Sequence, residues 1–460
     1  MNDCHRWSEI EDRALLVDLY ELTMAQSYHA EGMNDTAVFE LTFRSLPPSR
    51  NYLMACGLDP VLDYLESLSF NEQAINYLAT LAQFTPSFLD WLARLRFTGD
   101  VHAVPEGTVV FAGEPVLQVV APLVEAQIVE TFVLNHIHYE TLVASKTARV
   151  VTAAAGRTVV DFGMRRTHGA SAAMMAARAG YVAGLEGTSN VLAGKVYGIP
   201  LAGTMAHSYV QTHDDEEDAF RDFMRLYPET TLVVDTYDTL EGVRKVIDLA
   251  RQAGTDFKLR AVRLDSGDLE DLSEGVRRLL DDAGLQRVRI MASGNLDEHR
   301  IARLVAAGAP IDGFGVGTRL GTSQDAPSLD AAYKLVEYRG EGRMKLSVQK
   351  ANVPWRKQVY RQERNAVPSG DVIGRIGEPI PGRPLLVPVM QGGRRLPEGR
   401  CDMELIRGRA RSQLELLPDQ LRALEQAEPG YPVRLSDELE RARELLSRRF
   451  SWIPGEEPAP

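Results

Sequence analysis

TVVDFGMRR, residues 158–166, sets the reading of this chain: an apolar run of strand length breaks at Phe162-Gly163 and is followed at once by two arginines. The same pattern recurs downstream. Apolar runs lie at 158–162, 181–185, 200–202, 231–234, 259–264, 288–292 and 311–316, most of them separated by segments of helical character. Strands alternating with helices predict a parallel sheet, and seven runs predict a closed or nearly closed α/β barrel. The ends of the runs read FGMRR, EGTS, GTMAHS, VDTYD, RLDSGD, ASGN and GVGT. Polar and ionisable residues therefore gather at the carboxyl ends of the strands, the face that carries the active site in such barrels. Gly, Asp, Ser and Asn also suit ordinary turns. Arg165, Arg166, His207 and Arg263 do not, so turn chemistry accounts for only part of the pattern.

Working outward, the segment before Gly156 has a different rhythm. Leu15, Leu19 and Leu22 recur at helical spacing and are expected to face a core, with Tyr20 on a neighbouring face. Two helical segments are expected between residues 51 and 95. A small β-rich unit follows at about 98–122, with turns at Pro105-Glu106-Gly107 and Gly113-Glu114-Pro115. From 123 to 155 the pattern is helical, with Ile128, Phe132 and Val133 on the apolar side and Gly156 as its stop. The chain thus divides into an N-terminal α+β domain (1–155), a barrel (156–340) and a C-terminal segment (341–460).

Composition narrows the function. The 460 residues are 44% hydrophobic and 25% charged, ordinary for a globular protein of more than one structural unit. A formal net charge of −13 gives no general attraction to nucleic acid or to an anionic membrane, so an anionic ligand needs a local basic pocket. No apolar run approaches the roughly 18 to 20 residues of a membrane helix, and the first residues lack the apolar core of a signal peptide; cytoplasmic residence is expected. Three separated cysteines, Cys4, Cys56 and Cys401, argue against a disulfide framework and a four-thiolate zinc site.

The candidate chemistry follows from residue types. Arg165, Arg166 and Arg263 would grip carboxylate or phosphate groups through their planar forks. Backbone N–H groups around Gly317-Thr318 and Gly321-Thr322 would cradle a phosphate, whereas GFGVG at 313–317 does not match a dinucleotide fingerprint. Asp235, Asp238, Asp265 and Asp268 would bind ribose hydroxyls or hold Mg²⁺, or else pair with the arginines and cap helices. His207, in AGTMAHSYVQTH at 202–213, follows a strand end and can meet a phosphate. The acidic run HDDEEDAF at 213–220 reads as a solvated helix start, and His136 and His138, two apart on a helix, make a poor metal pair.

DLYELTMAQSY, FGMRR, GTMAHSYV, VRLDSGDL, GVGT and KLSVQKANVPWRKQVYR, in this order between Asp18 and Arg361, resemble the successive motifs of the nicotinate phosphoribosyltransferase family, a resemblance covering about three quarters of the chain. It implies an incomplete parallel α/β barrel with an additional N-terminal α+β domain and a C-terminal extension that packs back on it, as a homodimer. It implies the joining of nicotinate to phosphoribosyl pyrophosphate, giving nicotinate mononucleotide and pyrophosphate, the first step of NAD salvage from nicotinate. ATP is a co-substrate and Mg²⁺ a cofactor. On the matching positions, His207 is the histidine that ATP phosphorylates, Tyr20, Thr204 and Arg263 contact nicotinate, and Thr318 contacts phosphoribosyl pyrophosphate. Asp235 and Asp265 would lie by the ribose, with Mg²⁺ near them, and Arg165, Arg166 and Gly317 would complete the substrate contacts.

The nearest rival is the nicotinamide-using relative, whose members tend to carry an aspartate just after the Gly-Thr pair, where this chain has Met205. A non-catalytic metabolite-binding homologue is the competitor from another class. Beyond Arg361 the resemblance fades into a tail rich in arginine, glutamate and proline, with a helical segment near 435–448 and a frayed end at 447–460. Some relatives carry a cysteine-ligated zinc there; with only Cys401 in that region, no zinc is expected.

Overall fold

The computed structural model of the chain describes residues 12–346, 352–400 and 402–451. It divides into two compact units, one of residues 146–327 and one that joins 1–145 with 328–460. The sequence sets its boundaries at 155/156 and 340/341.

The 146–327 unit is built on six parallel strands in the spatial order Gly187–Thr188, Thr158–Asp161, Gly313–Val316, Arg289–Ala292, Ala261–Leu264, Thr231–Val233. Among the described residues the two outer strands do not pair with each other, so the sheet is the incomplete α/β barrel expected from the family motifs. Three of its helices show why the order is legible. Thr239–Ala253, Leu269–Asp282 and Glu298–Ala306 each bury one apolar stripe, carried by Val243, Val246 and Ile247, by Val276 and Leu280, and by Ile301 and Leu304. Each starts at an aspartate N-cap, Asp238, Asp268 or Asp297, whose side chain accepts amides of the first turn. Such a cap is worth about 1 kcal/mol.

Two expected strands do not form as read. Residues 181–185 close the helix Ala170–Val182 and its turn at Gly184 (φ +117°), and the strand begins only at Gly187. That helix is alanine-rich and buried over nearly its whole second half, so it lacks the polar face from which a 3.6-residue period is read. At 200–202 only Leu201 makes a parallel bridge, to Thr188. Pro200 has no N–H to extend the ladder.

The other unit carries a seven-stranded sheet in which Thr36–Phe43 lies between Ala331–Tyr338 on one side and the central strand Pro115–Pro122 on the other, all antiparallel. Asp100–Ala103 pairs with Pro115–Pro122 and with Val387–Gln391, so segments from both ends of the sequence share one sheet. Leu41, Phe43, Leu117 and Val119 are almost fully buried in its core, each contributing about 2 to 3 kcal/mol by burial. Between 51 and 95 the structure forms three helices rather than two, Leu58–Ser67, Glu72–Thr80 and Pro86–Leu92, because Asn71 and Thr85 each start a new one by capping it. Leu22 is buried as expected, but Leu19 is exposed at the start of Leu19–Ala30. The helical pattern from 123 to 155 resolves into Leu123–Ile128 and Glu130–Ala153. Near the end of the chain Leu435 belongs to a strand, Val433–Leu435, and the helix runs Asp437–Ser451. Cys56 is buried, and its thiol donates to Glu140 at 3.6 Å; Cys4, Cys401 and residues 452–460 lie outside the described residues. Among the described residues no helix is long and apolar enough to cross a membrane.

Candidate active site

A cavity of about 680 Å³ opens at the carboxyl ends of the parallel strands. The ends expected to carry chemistry supply its wall: Arg165 and Arg166, Thr204 and Met205, Arg263 and Asp265, and Gly317 with Thr318.

His207 opens the short helix His207–Gln211. Its Nδ1 is 3.2 Å from the Thr236 hydroxyl, while its Nε2 faces two carboxylates, Asp265 Oδ2 at 3.7 Å and Asp235 Oδ1 at 4.0 Å. Both ring nitrogens thus have a polar neighbour, which fixes the plane of the imidazole. The Asp235 side chain is only 2% exposed. Its Oδ2 accepts the Asp265 amide at 3.0 Å and the Ser266 hydroxyl at 2.5 Å, and among the described residues its Oδ1 has no hydrogen-bond partner. Asp265 is steadied by the Ser293 hydroxyl. Burial raises the Asp265 pKa, but Ser293, Arg263 and His207 together outweigh that and leave it below the usual carboxylate value. A buried carboxylate oxygen without a donor, beside a second ionised carboxylate, is the hard oxygen set that suits Mg²⁺.

Arg263 donates from Nη1 to the Thr204 hydroxyl, and its Nε is buried without an acceptor. Burial lowers its pKa against the pull of Asp265 and Asp235. A guanidinium remains charged even so, and its unmet donor favours an anionic ligand. Arg165 and Arg166 stand exposed on the one-turn helix Met164–Arg166. That turn is fastened from below by buried Asp161, which accepts the Gly163 amide and the Thr188 hydroxyl, both at 2.7 Å. On the opposite wall Gly294 has φ +89°, and a Cβ there would meet the Asp265 carbonyl oxygen at 2.0 Å, so only glycine lets these two strand ends approach.

Of the four candidate aspartates, Asp235 and Asp265 meet at His207, whereas Asp238 and Asp268 are spent capping helices. Within the second glycine pair, the amides of Gly321 and Thr322 donate to the carbonyls of Gly317 and Thr318, so the proposed cradle is confined to the Gly317-Thr318 side. Tyr20 belongs to the other unit, where it is 46% exposed. Burial raises its pKa, and Glu130, Glu21 and Asp18 add to the effect. The run at 213–220 is a helix start with Asp215 as N-cap, and His136 and His138 hydrogen-bond to separate backbone groups, Phe132 O and Leu329 N. Thr236, Ser266 and Ser293, which orient the histidine and its carboxylates, escape sequence reasoning. The strand ends VDTYD, LDSGD and ASGN contain them, but hydroxyl residues there look like turn formers.

The geometry can be set beside known proteins. Residues 15–138 match the model of the nicotinate phosphoribosyltransferase (NAPRTase) N-terminal domain, and residues 158–353 match that of the nicotinate phosphoribosyltransferase (NAPRTase) family. The chain belongs to the nicotinate phosphoribosyltransferase family. It is 57% identical over 426 residues to nicotinate phosphoribosyltransferase pncB2 of Mycobacterium tuberculosis, covering 93% of this chain and 92% of that protein. It is 41% identical over 377 residues to nicotinate phosphoribosyltransferase of Bacillus subtilis, covering 80% and 77%. The crystal structure of human nicotinic acid phosphoribosyltransferase superposes with a TM-score of 0.83 at 28% identity, over 93% of this chain and 99% of that one. Every residue lining the cavity lies within the segment matched by the family model, and Tyr20 lies within the matched N-terminal domain.

Proposed function

We propose that the protein transfers the phosphoribosyl group of phosphoribosyl pyrophosphate to nicotinate, forming nicotinate mononucleotide and pyrophosphate, with ATP hydrolysis coupled through a phosphohistidine at His207. The observation that carries this reading is the meeting of His207 and Asp235 with Asp265, which lines a cavity whose other ionisable lining is arginine.

In the transfer, the pyridine nitrogen of nicotinate bonds to the anomeric carbon as the bond to pyrophosphate breaks. Positive charge develops on the ribose and negative charge on the leaving group. Asp235 and Asp265 answer the first charge, and Arg165 and Arg166 the second, as preset groups that need no reorganisation. Mg²⁺ held by Asp235 and Asp265 would supply further charge neutralisation for the phosphate oxygens. Arg263, with its unmet buried Nε–H, pairs with the nicotinate carboxylate, and Thr204 steadies that arginine. Met205, buried in the same wall, places no carboxylate against the substrate acid, which favours nicotinate over nicotinamide. Tyr20 stacks on the flat ring, reaching it from the neighbouring subunit of a homodimer.

ATP passes its γ-phosphoryl group to a ring nitrogen of His207, releasing ADP. The product carries an anion where an imidazole stood, and the new charge repels Asp235 and Asp265 until a cation or a rearranged loop compensates. Hydrolysis to phosphate restores the imidazole. The test is turnover by purified protein with Mg²⁺, phosphoribosyl pyrophosphate and either nicotinate or nicotinamide, with and without ATP, read by mass. Nicotinate mononucleotide formed faster with ATP, with ADP released, is expected. Preference for nicotinamide would move the protein to the sister activity, and no product from either would favour a non-catalytic homologue. His207→Ala should retain transfer but lose its stimulation by ATP; full stimulation in that variant would sink the phosphohistidine.

A further inference from the structure

Arg319 follows Thr318 in GVGTRLGTS, and its side chain lines the same cavity, beside Thr318 and Asn295. It is held there by a carboxylate that does two tasks. Asp297 Oδ1 accepts the Arg300 amide at 2.8 Å, capping the helix Glu298–Ala306, and Oδ2 is ion-paired with Arg319 Nη1. The next residue, Glu298, is fully buried and ties the same helix start to Lys146 Nζ at 2.6 Å and to Arg149 Nε at 3.1 Å. Lys146 in turn holds Asp325 at 2.7 Å, farther along the segment that begins with Thr318 and Arg319. Two adjacent acids therefore anchor this segment at both ends, Asp297 directly and Glu298 through Lys146.

The anchoring leaves Arg319 with capacity to spare. A guanidinium has five N–H donors in a fixed fork, and the Asp297 pair uses the Nη1 edge. The Arg319 side chain is 38% exposed and the residue lines the cavity, so its remaining donors are not locked into the core. Pairing from behind also removes the rotamer freedom that a long cation otherwise loses on meeting a ligand. Arg165 and Arg166 are exposed on their turn and have no such ion pair among the described residues; Arg319 is already oriented. Asp297 stays ionised: burial raises its pKa, but the Arg300 amide and Arg319 more than offset this and bring it below the usual value.

We propose that Arg319 is a further contact for phosphate oxygens in this cavity and that Asp297 is the positioning residue that aims it. The identity of the phosphate rests on the reaction read above, since both the diphosphate and the 5-phosphate of the phosphoribosyl donor offer the same chemistry. Titration calorimetry on the full-length protein with inorganic pyrophosphate and, separately, with ribose 5-phosphate distinguishes them. Arg319→Gln should weaken one of the two probes by about 10- to 100-fold and leave the other nearly unchanged. It should raise KM for phosphoribosyl pyrophosphate while KM for nicotinate changes little, and Arg319→Lys should recover part of the loss. Asp297→Asn should shift the same probe in the same direction by a smaller factor. Unaltered affinity for both probes in Arg319→Gln, a wild-type protein that binds neither, or a lowered melting temperature with no change in binding would each overturn the proposal. Because binding is read on the phosphates themselves, a protein that binds them through Arg319 yet makes no nicotinate mononucleotide would sink the reaction and leave this contact standing.

Discussion

Two buried ion pairs of one unit and the substrate-facing charges of the other are handled in opposite ways. In the unit that joins the chain's ends, two pairs of charged side chains are buried and matched: Glu40 meets Lys357 at 2.6 Å, and Arg361 meets Asp371 at 2.7 Å with both side chains 0% exposed. In the 146–327 unit the groups at and next to the cavity are left incomplete, with Asp235 Oδ1 and Arg263 Nε buried without a hydrogen-bond partner among the described residues and with Arg165 and Arg166 exposed. Lys357 and Arg361 lie in the stretch KLSVQKANVPWRKQVYR, which like FGMRR resembles a motif of the family. A motif arginine can thus be part of the scaffold or part of the chemistry. What separates the cases is whether its hydrogen-bonding capacity is already filled.

The sharpest way to break this contrast is at Arg361. Arg361→Met leaves Asp371 as a buried carboxylate without its ion-pair partner, keeping the Tyr431 hydroxyl, and should cost about 3 to 5 kcal/mol in urea denaturation. A change below about 1 kcal/mol would mean that the pair is not structural. At the His207 cluster the expectation reverses. Asp235→Asn should slow formation of nicotinate mononucleotide by about a hundredfold, while its denaturation midpoint stays near that of the wild type. A large loss of stability would place Asp235 with the scaffold instead.

A smaller effect sits at Glu21, which is buried beside Thr131 and near Tyr20. Burial dominates and raises its pKa from 4.5 to about 8, while hydrogen bonds from Thr131 pull the other way. The folded protein therefore holds a proton that the unfolded chain releases near 4.5. This term favours folding at low pH and is lost as pH rises from about 4.5 to about 8. Glu21→Gln, which stays neutral, should flatten that slope in stability measured across the range; an unchanged slope would show that Glu21 ionises normally.

Much of the fold was legible because its helices are amphipathic and its strands end in residues that few other contexts explain. The strands at 158–161, 231–233, 261–264, 289–292 and 313–316 were readable in this way, and so were His207, Arg165, Arg166 and Arg263 as members of one face. The run at 181–185 misled because a helix buried on all sides carries no period. The division of labour among the aspartates was also hidden. Asp235 and Asp238 stand three residues apart in VDTYD, yet one faces His207 and the other caps a helix. Only the direction of each side chain after the strand ends distinguishes them.

The sequence by itself determined the alternation of strand and helix, the collection of arginine, histidine and aspartate at strand ends, and the family to which these motifs belong, because periodicity and turn chemistry are local. Tertiary structure alone decided which charges are satisfied. Arg361 finds Asp371 and the Val109 carbonyl, whereas Arg319 finds Asp297 and keeps donors to spare. That outcome depends on partners far apart in the chain meeting at hydrogen-bond distance. Desolvation makes the difference between a filled and an unfilled guanidinium worth several kcal/mol, and no local pattern records it.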